Sequence, residues 1–80
     1  MEYMILKKQR EIKENCIRKA FHFAKSNTAI GALYLTIFDD MDEARTELQV
    51  NAVANDYYTL NRMVNNAVGK SLIKERNANN

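Results

Sequence analysis

The side chains with the clearest chemical potential are Cys16, His22 and an acidic group, Asp39, Asp40, Asp42 and Glu43. A cysteine beside a histidine would begin a nucleophile–base pair. Here the two are six residues apart on a segment of helical periodicity, about 600° around the axis, so they do not share a face. His22 is the single histidine and falls on a polar face without a carboxylate to orient it. One Cys and one His cannot furnish a structural zinc site, which takes four such ligands. Alone, Cys16 can form no internal disulfide, which fits a reducing compartment. It reads as a small buried hydrophobe.

The acidic group is dense enough to suggest calcium. An EF-hand loop needs glycine at its sixth position and glutamate at its twelfth. Counted from Asp40, those positions hold Arg45 and Asn51; counted from Asp42, they hold Glu47 and Val53. The spacing Asp40-Met41-Asp42-Glu43 instead has the form of a capping box with Asp in the usual Ser/Thr place. A helix N-terminus there would favour the negative charge. Gly69-Lys70-Ser71 resembles the end of a phosphate-binding loop, yet the required earlier glycine is Val64 and no strand precedes it. The expectation is a protein that is not an enzyme and holds no metal or cofactor.

The elements that carry these residues read as helices. Residues 26–38 contain no charge, between a basic segment (1–25) and an acidic one (39–47). Proline is absent and glycine occurs twice, so helix is the natural state of the chain. A first helix is expected over 4–25, with Ile5, Ile12, Cys16, Ala20 and Phe23 at helical spacing. Ser26-Asn27-Thr28 are cap-type residues and open a nearly all-apolar, buried second helix over 28–38. A third helix is expected from Asp40, with Met41, Ala44, Leu48 and Ala52 inward. Asn55-Asp56 would cap a fourth, with Leu60, Met63, Val64, Ala67 and Val68 inward and Gly69 as a possible end.

This predicts an all-α fold, a compact three- or four-helix domain over 1–76 with a frayed tail at 77–80. The alternative is a single helix from 41 to about 74, because apolar spacing runs on from Leu48 to Leu72; were 4–38 also continuous, the chain would be a long helical hairpin turning at Asp39-Asp40 that would have to dimerise into a four-helix bundle. Eighty residues bury roughly 60–65% of their unfolded surface, so a second copy or a partner would add stability. The apolar run is shorter than the about 20 residues a bilayer crossing requires and is not an N-terminal signal segment. A cytoplasmic protein without membrane association is expected.

Two binding functions remain. The first is protein contact by a small regulator, as a homodimer or as an inhibitor or adaptor of a larger machine, of the accessory type found in phages and plasmids. Tyr57, Tyr58 and Met63 have the composition of interface hot spots. Tyr3 and Leu6 belong to four consecutive apolar residues that cannot all face one core stripe. The second is a DNA- or RNA-binding regulator, because 57–74 lacks acidic residues. Tyr58, Asn61, Arg62, Asn65 and Lys70 could then meet phosphates, base edges or base faces. With helices at 41–54 and from 57, residues 41–70 would have a helix-turn-helix outline.

Tyr57-Tyr58-Thr59-Leu60-Asn61-Arg62-Met63-Val64-Asn65 resembles the recognition helix of bacterial repressors of the lactose-repressor type. The match covers nine residues. Aligned on Leu60, the small turn position falls on Ala54, and two apolar positions fall on Gln49 and Asn55. The resemblance therefore stays local. A net charge of +2 is also below the basic footprint of a dedicated nucleic-acid binder.

Overall fold

The structure, a computed structural model, describes the backbone of residues 1–78 and the side chains of residues 1–67. Three helices follow one another, α1 (Tyr3–Phe23), α2 (Thr28–Glu43) and α3 (Glu47–Ala78). The all-α expectation holds, in its three-helix form. The expected tail overlaps α3 at residues 77 and 78, and residues 79 and 80 lie outside the described residues.

The α1–α2 turn forms where the cap residues stand. Asn27 leaves helical geometry and its Oδ1 accepts from the Ile30 N–H at 3.2 Å, satisfying one of the unpaired donors of the first turn. This break excludes the continuous 4–38 helix of the long hairpin. Gly31 lies at the α1–α2 crossing, where a Cβ would stand 3.4 Å from the Ala20 carbonyl oxygen.

The boundary expected at Asp40 is not there. α2 runs on to Glu43 because its inward stripe, Tyr34, Ile37 and Met41, keeps helical period past the carboxylates. The acidic group thus lies at a helix C-terminus, the end that disfavours negative charge. Three side chains offset this. Lys13 Nζ lies 2.8 Å from Asp42 Oδ1, and Arg45 Nη1 donates to the Asp42 carbonyl at 2.8 Å. Gln9 Nε2 donates from α1 to the Met41 and Ala44 carbonyls at 2.8 and 3.1 Å.

The capping box begins three residues beyond the last of these acids, at Thr46-Glu47-Leu48-Gln49. The Gln49 N–H donates to Thr46 Oγ1 at 3.2 Å, and the Thr46 N–H donates back to Gln49 Oε1 at 3.3 Å. Loss of the hydroxyl in Thr46→Ala is expected to cost about 1 kcal/mol. Thermal circular dichroism should show it as a fall of about 4–8 °C in the unfolding midpoint.

From Glu47 the helix continues without a break to Ala78. Val50, Ala54, Tyr57, Leu60 and Val64 are buried, in steps of three and four that pass directly under Asn55-Asp56. Those two residues are exposed mid-helix, and with neither glycine nor proline beside them they do not end it. The fourth helix and the helix-turn-helix outline of 41–70 are therefore corrected to one helix, and Gly69 lies inside it. The stripe expected for a helix from Asp40 also divides: Met41 and Ala44 are buried with α2, while Leu48 and Ala52 are exposed. Val68 and Leu72 have side chains outside the described residues.

Tyr34 is the centre of the core. It is fully buried, 6.2 Å from the stacked Phe23 ring and 6.3 Å from the Tyr57 ring. Its hydroxyl donates to Asn61 Oδ1 at 2.6 Å, so one side chain of α2 joins α1 to α3. Burial, then the neighbouring Tyr57 and Cys16, push the Tyr34 phenol above its ordinary value. The molecule is 54 Å long and 20 by 15 Å across. Its 32-residue α3 spans about 48 Å, roughly twice the about 24 Å of α2.

Candidate protein-contact groove

Chemistry-bearing side chains do not converge. Cys16 is fully buried among the core residues and His22 is exposed on the same helix. Burial pushes the Cys16 thiol up to about 11, so little thiolate exists at neutral pH and the residue is a poor nucleophile. Iodoacetamide at pH 8 should leave Cys16 unmodified in the folded chain and label it rapidly once denaturant unfolds it. Labelling at the rate of a free thiol without denaturant would contradict this packing. No group of three His, Cys, Asp or Glu side chains with metal-holding geometry occurs among the described residues.

The Lys13–Asp42 pair has a structural role. The Lys13 hydrogen bond, then its charge, holds the Asp42 carboxyl below the usual carboxylate range, with Arg45 adding to the effect. Because the folded value is lower than the unfolded one, the stabilisation is present above the unfolded value of about 3.9. It is lost as pH falls through the folded value. Asp42→Asn should therefore melt slightly below the wild type at pH 7, and the two midpoints should converge as pH falls through the folded value.

What the fold leaves open is apolar surface. α2 is apolar on nearly every side from Thr28 to Phe38, but α1 and α3 cover only two of its flanks. Its expected full burial is corrected here: Gly31, Tyr34, Ile37 and Met41 are inside, whereas Leu33 is 50% and Leu35 46% exposed. Two grooves result. Between α1 and α2, Ile17, Ala20, Phe21, Ala24 and Leu35 line the first. Its far end is covered by Lys13, whose Nζ lies 5.6 Å from the Phe38 ring centroid.

The second groove runs between α2 and α3 and is longer. At one end Leu33, Thr36, Ile37, Thr59, Leu60 and Met63 surround a cleft of about 320 Å³, with Asp40 and Asp56 on its rims. It continues past Ile30, Val64 and Ala67 without a charged side chain among the described residues. Leu33 and Met63, the latter 62% exposed, share both parts of it.

The residues expected to bind a partner do not form one patch. Met63 lies in the α2–α3 groove. Tyr58 is exposed but stands five positions away, about 140° around the helix. Tyr3 and Leu6 are exposed at the start of α1. That end packs by the start of α3, where Lys8 Nζ donates to Asn51 Oδ1 at 3.1 Å. Tyr57 is corrected to a core residue, because its ring closes on Tyr34. Of the nucleic-acid candidates, Tyr58, Arg62 and Asn65 are exposed on one strip at i, i+4 and i+7. Asn61 turns inward to Tyr34, and the Lys70 side chain lies outside the described residues.

Leu33 and the groove itself were missed by reading 28–38 as a buried helix. The signal was present: a helix apolar all round needs neighbours on all sides, and a chain of 80 residues supplies too few. No helix among the described residues is long and apolar enough to cross a membrane. No family model matches this chain, and no curated protein and no solved structure shows significant similarity to it.

Proposed function

We propose that this protein is a small non-enzymatic regulator that works by protein contact, as a homodimer or as an inhibitor or adaptor of a larger assembly. The contact surface is the α2–α3 groove. The observation that carries this reading is the pair Leu33 and Met63, each at least half exposed, facing one another across an open apolar groove. Apolar side chains held side by side on two helices are the usual floor of a helix-in-groove interaction. The energy of such contacts concentrates in a few residues near the centre that become buried in well-packed pockets.

A second reading, binding to DNA or RNA, draws on the exposed strip Tyr58, Arg62 and Asn65 on an acid-free length of α3. Both are tested by one comparison. Wild type, Leu33→Asp and Arg62→Ala are immobilised, and proteins retained from cell extract, and mixed-sequence duplex DNA or RNA at about 50 and 200 mM salt, are quantified. Protein contact predicts retention by wild type and Arg62→Ala, lost in Leu33→Asp. Salt-sensitive retention of nucleic acid that Arg62→Ala alone weakens would replace that reading with the second.

A further inference from the structure

The groove between α1 and α2 differs from the α2–α3 groove in the charge around it. Ile17, Ala20, Phe21, Ala24 and Leu35 line a cleft of about 260 Å³, and no α3 residue whose side chain is described joins them. Phe21 is 77% exposed and Leu35 46%, so both stand in water at the edges of this cleft. One end is covered. There Lys13 pairs with Asp42 over the Phe38 ring, and Arg10 and Glu14 flank it with opposite charges. The apolar floor runs the other way, from Ile17 to Ala24, about two helical turns.

The charge beside that floor has one sign. From Asn15 to Phe38 the sequence holds no Asp or Glu and carries Arg18, Lys19 and Lys25. Arg18 precedes Phe21 by three positions and Lys25 follows it by four, so both are its neighbours on the helix surface. Both lie about 40–60° to one side of Phe21, while Ile17 and Ala24 lie about 40–60° to the other. The exposed ring thus separates an apolar floor from a cationic rim. Arg18 and Lys25 are exposed, and the one ion pair among the described residues is Lys13–Asp42. Neither rim cation meets a carboxylate among the described residues.

A complementary occupant carries apolar side chains on one face and carboxylates beside them. A concave floor between two helices suits a narrow rod, as in helix-in-groove recognition. The cations stand on one rim, too few for the basic footprint that nucleic acid requires. We infer that the α1–α2 groove binds an acidic amphipathic helix of a partner protein. The apolar face of that helix lies on Ile17, Phe21, Ala24 and Leu35, and its carboxylates meet Arg18 and Lys25. This is a second contact surface, independent of what fills the α2–α3 groove.

The test is selection of random displayed peptides of about 16 residues, about 24 Å as a helix, on the immobilised full chain. Enriched peptides are then titrated calorimetrically against variants. They should place Asp or Glu beside apolar residues at helical spacing. Phe21→Ser should weaken them at least about tenfold, as loss of a central contact does, with an unchanged helical spectrum because the ring is exposed. Arg18→Glu should weaken them about as much through like-charge contact. Lys7→Glu makes the same change in net charge at an exposed position outside the groove, and affinity should stay within about twofold. Peptides remade with Lys in place of their acids should prefer Arg18→Glu to the wild type. Enriched peptides without acids, equal binding to wild type and Phe21→Ser, or no enrichment would each overturn the proposal. So would Phe21-dependent binding of phosphatidylserine vesicles or duplex RNA by a chain that selects no acidic peptide. Peptides that Leu33→Asp releases and Phe21→Ser keeps occupy the α2–α3 groove; a selection yielding only these overturns the α1–α2 site alone.

Discussion

Replacing Tyr34 with alanine is expected to remove about 3–5 kcal/mol of stability, the range for deleting a buried aromatic ring. A domain of 80 residues holds about 4–12 kcal/mol in total, so this one side chain carries a large share. The ring fills the space between all three helices, stacked on Phe23 and edge-on to Tyr57. The thermal midpoint should fall by more than about 12 °C. Tyr34→Phe keeps the ring and removes only the donor to Asn61. Asn61 is half-buried and can turn to water, so the cost should be about 1 kcal/mol. Thermal circular dichroism of the two variants separates ring from hydroxyl. A Tyr34→Ala melt within about 4 °C of the wild type, a loss of no more than about 1 kcal/mol, would show that Tyr34 does not hold the helices together.

Leu33→Asp is expected to act on association and leave folding nearly untouched. Leu33 is exposed in the single chain, so its replacement opens no cavity. The change in helix propensity costs about 0.5 kcal/mol. In a complex the same aspartate would be buried without a partner in an apolar seam whose rims already carry Asp40 and Asp56. That penalty is several kcal/mol, and affinity should fall at least about 100-fold. An isothermal titration or sedimentation series on the folded variant reads the effect directly. The contrast with Tyr34→Ala is the signature sought: one variant loses the fold, the other loses the contact.

The difference between these residues was only half visible in the sequence. Helix content followed from spacing and from the lack of proline. The start of α2 followed from Asn27, whose side chain has one obvious backbone partner three residues on. The end of α2 did not. Asp40 and Thr46 both head capping-box spacings, and local rules prefer the more acidic one. The choice is made by Met41, which stays in register with Tyr34 and Ile37, and by Gln9 reaching over from α1 to close the last carbonyls. The Gln9 contacts join residues more than thirty positions apart. Asn55-Asp56 misled for the same reason, since cap-type residues end a helix only when the apolar stripe stops with them.

The contact surface was harder still. Met63 was recognised by type, but Leu33 was hidden inside a run that reads as uniformly buried, and Tyr57 was placed outside when its ring is inside. Position along a helix gives the angle of a side chain; which angles are covered depends on how many neighbours the fold supplies. With α1 on one flank of α2 and α3 on the other, the remaining flank is open, and we propose that another chain covers it.

The most direct test of that statement is light-scattering mass of wild type beside Leu33→Asp, both at about 100 µM, where micromolar contacts are populated. The account predicts a mass of twice 9.3 kDa for the wild type and 9.3 kDa for the variant, with closely similar helical spectra. The same mass for both chains, whether single or double, would contradict it.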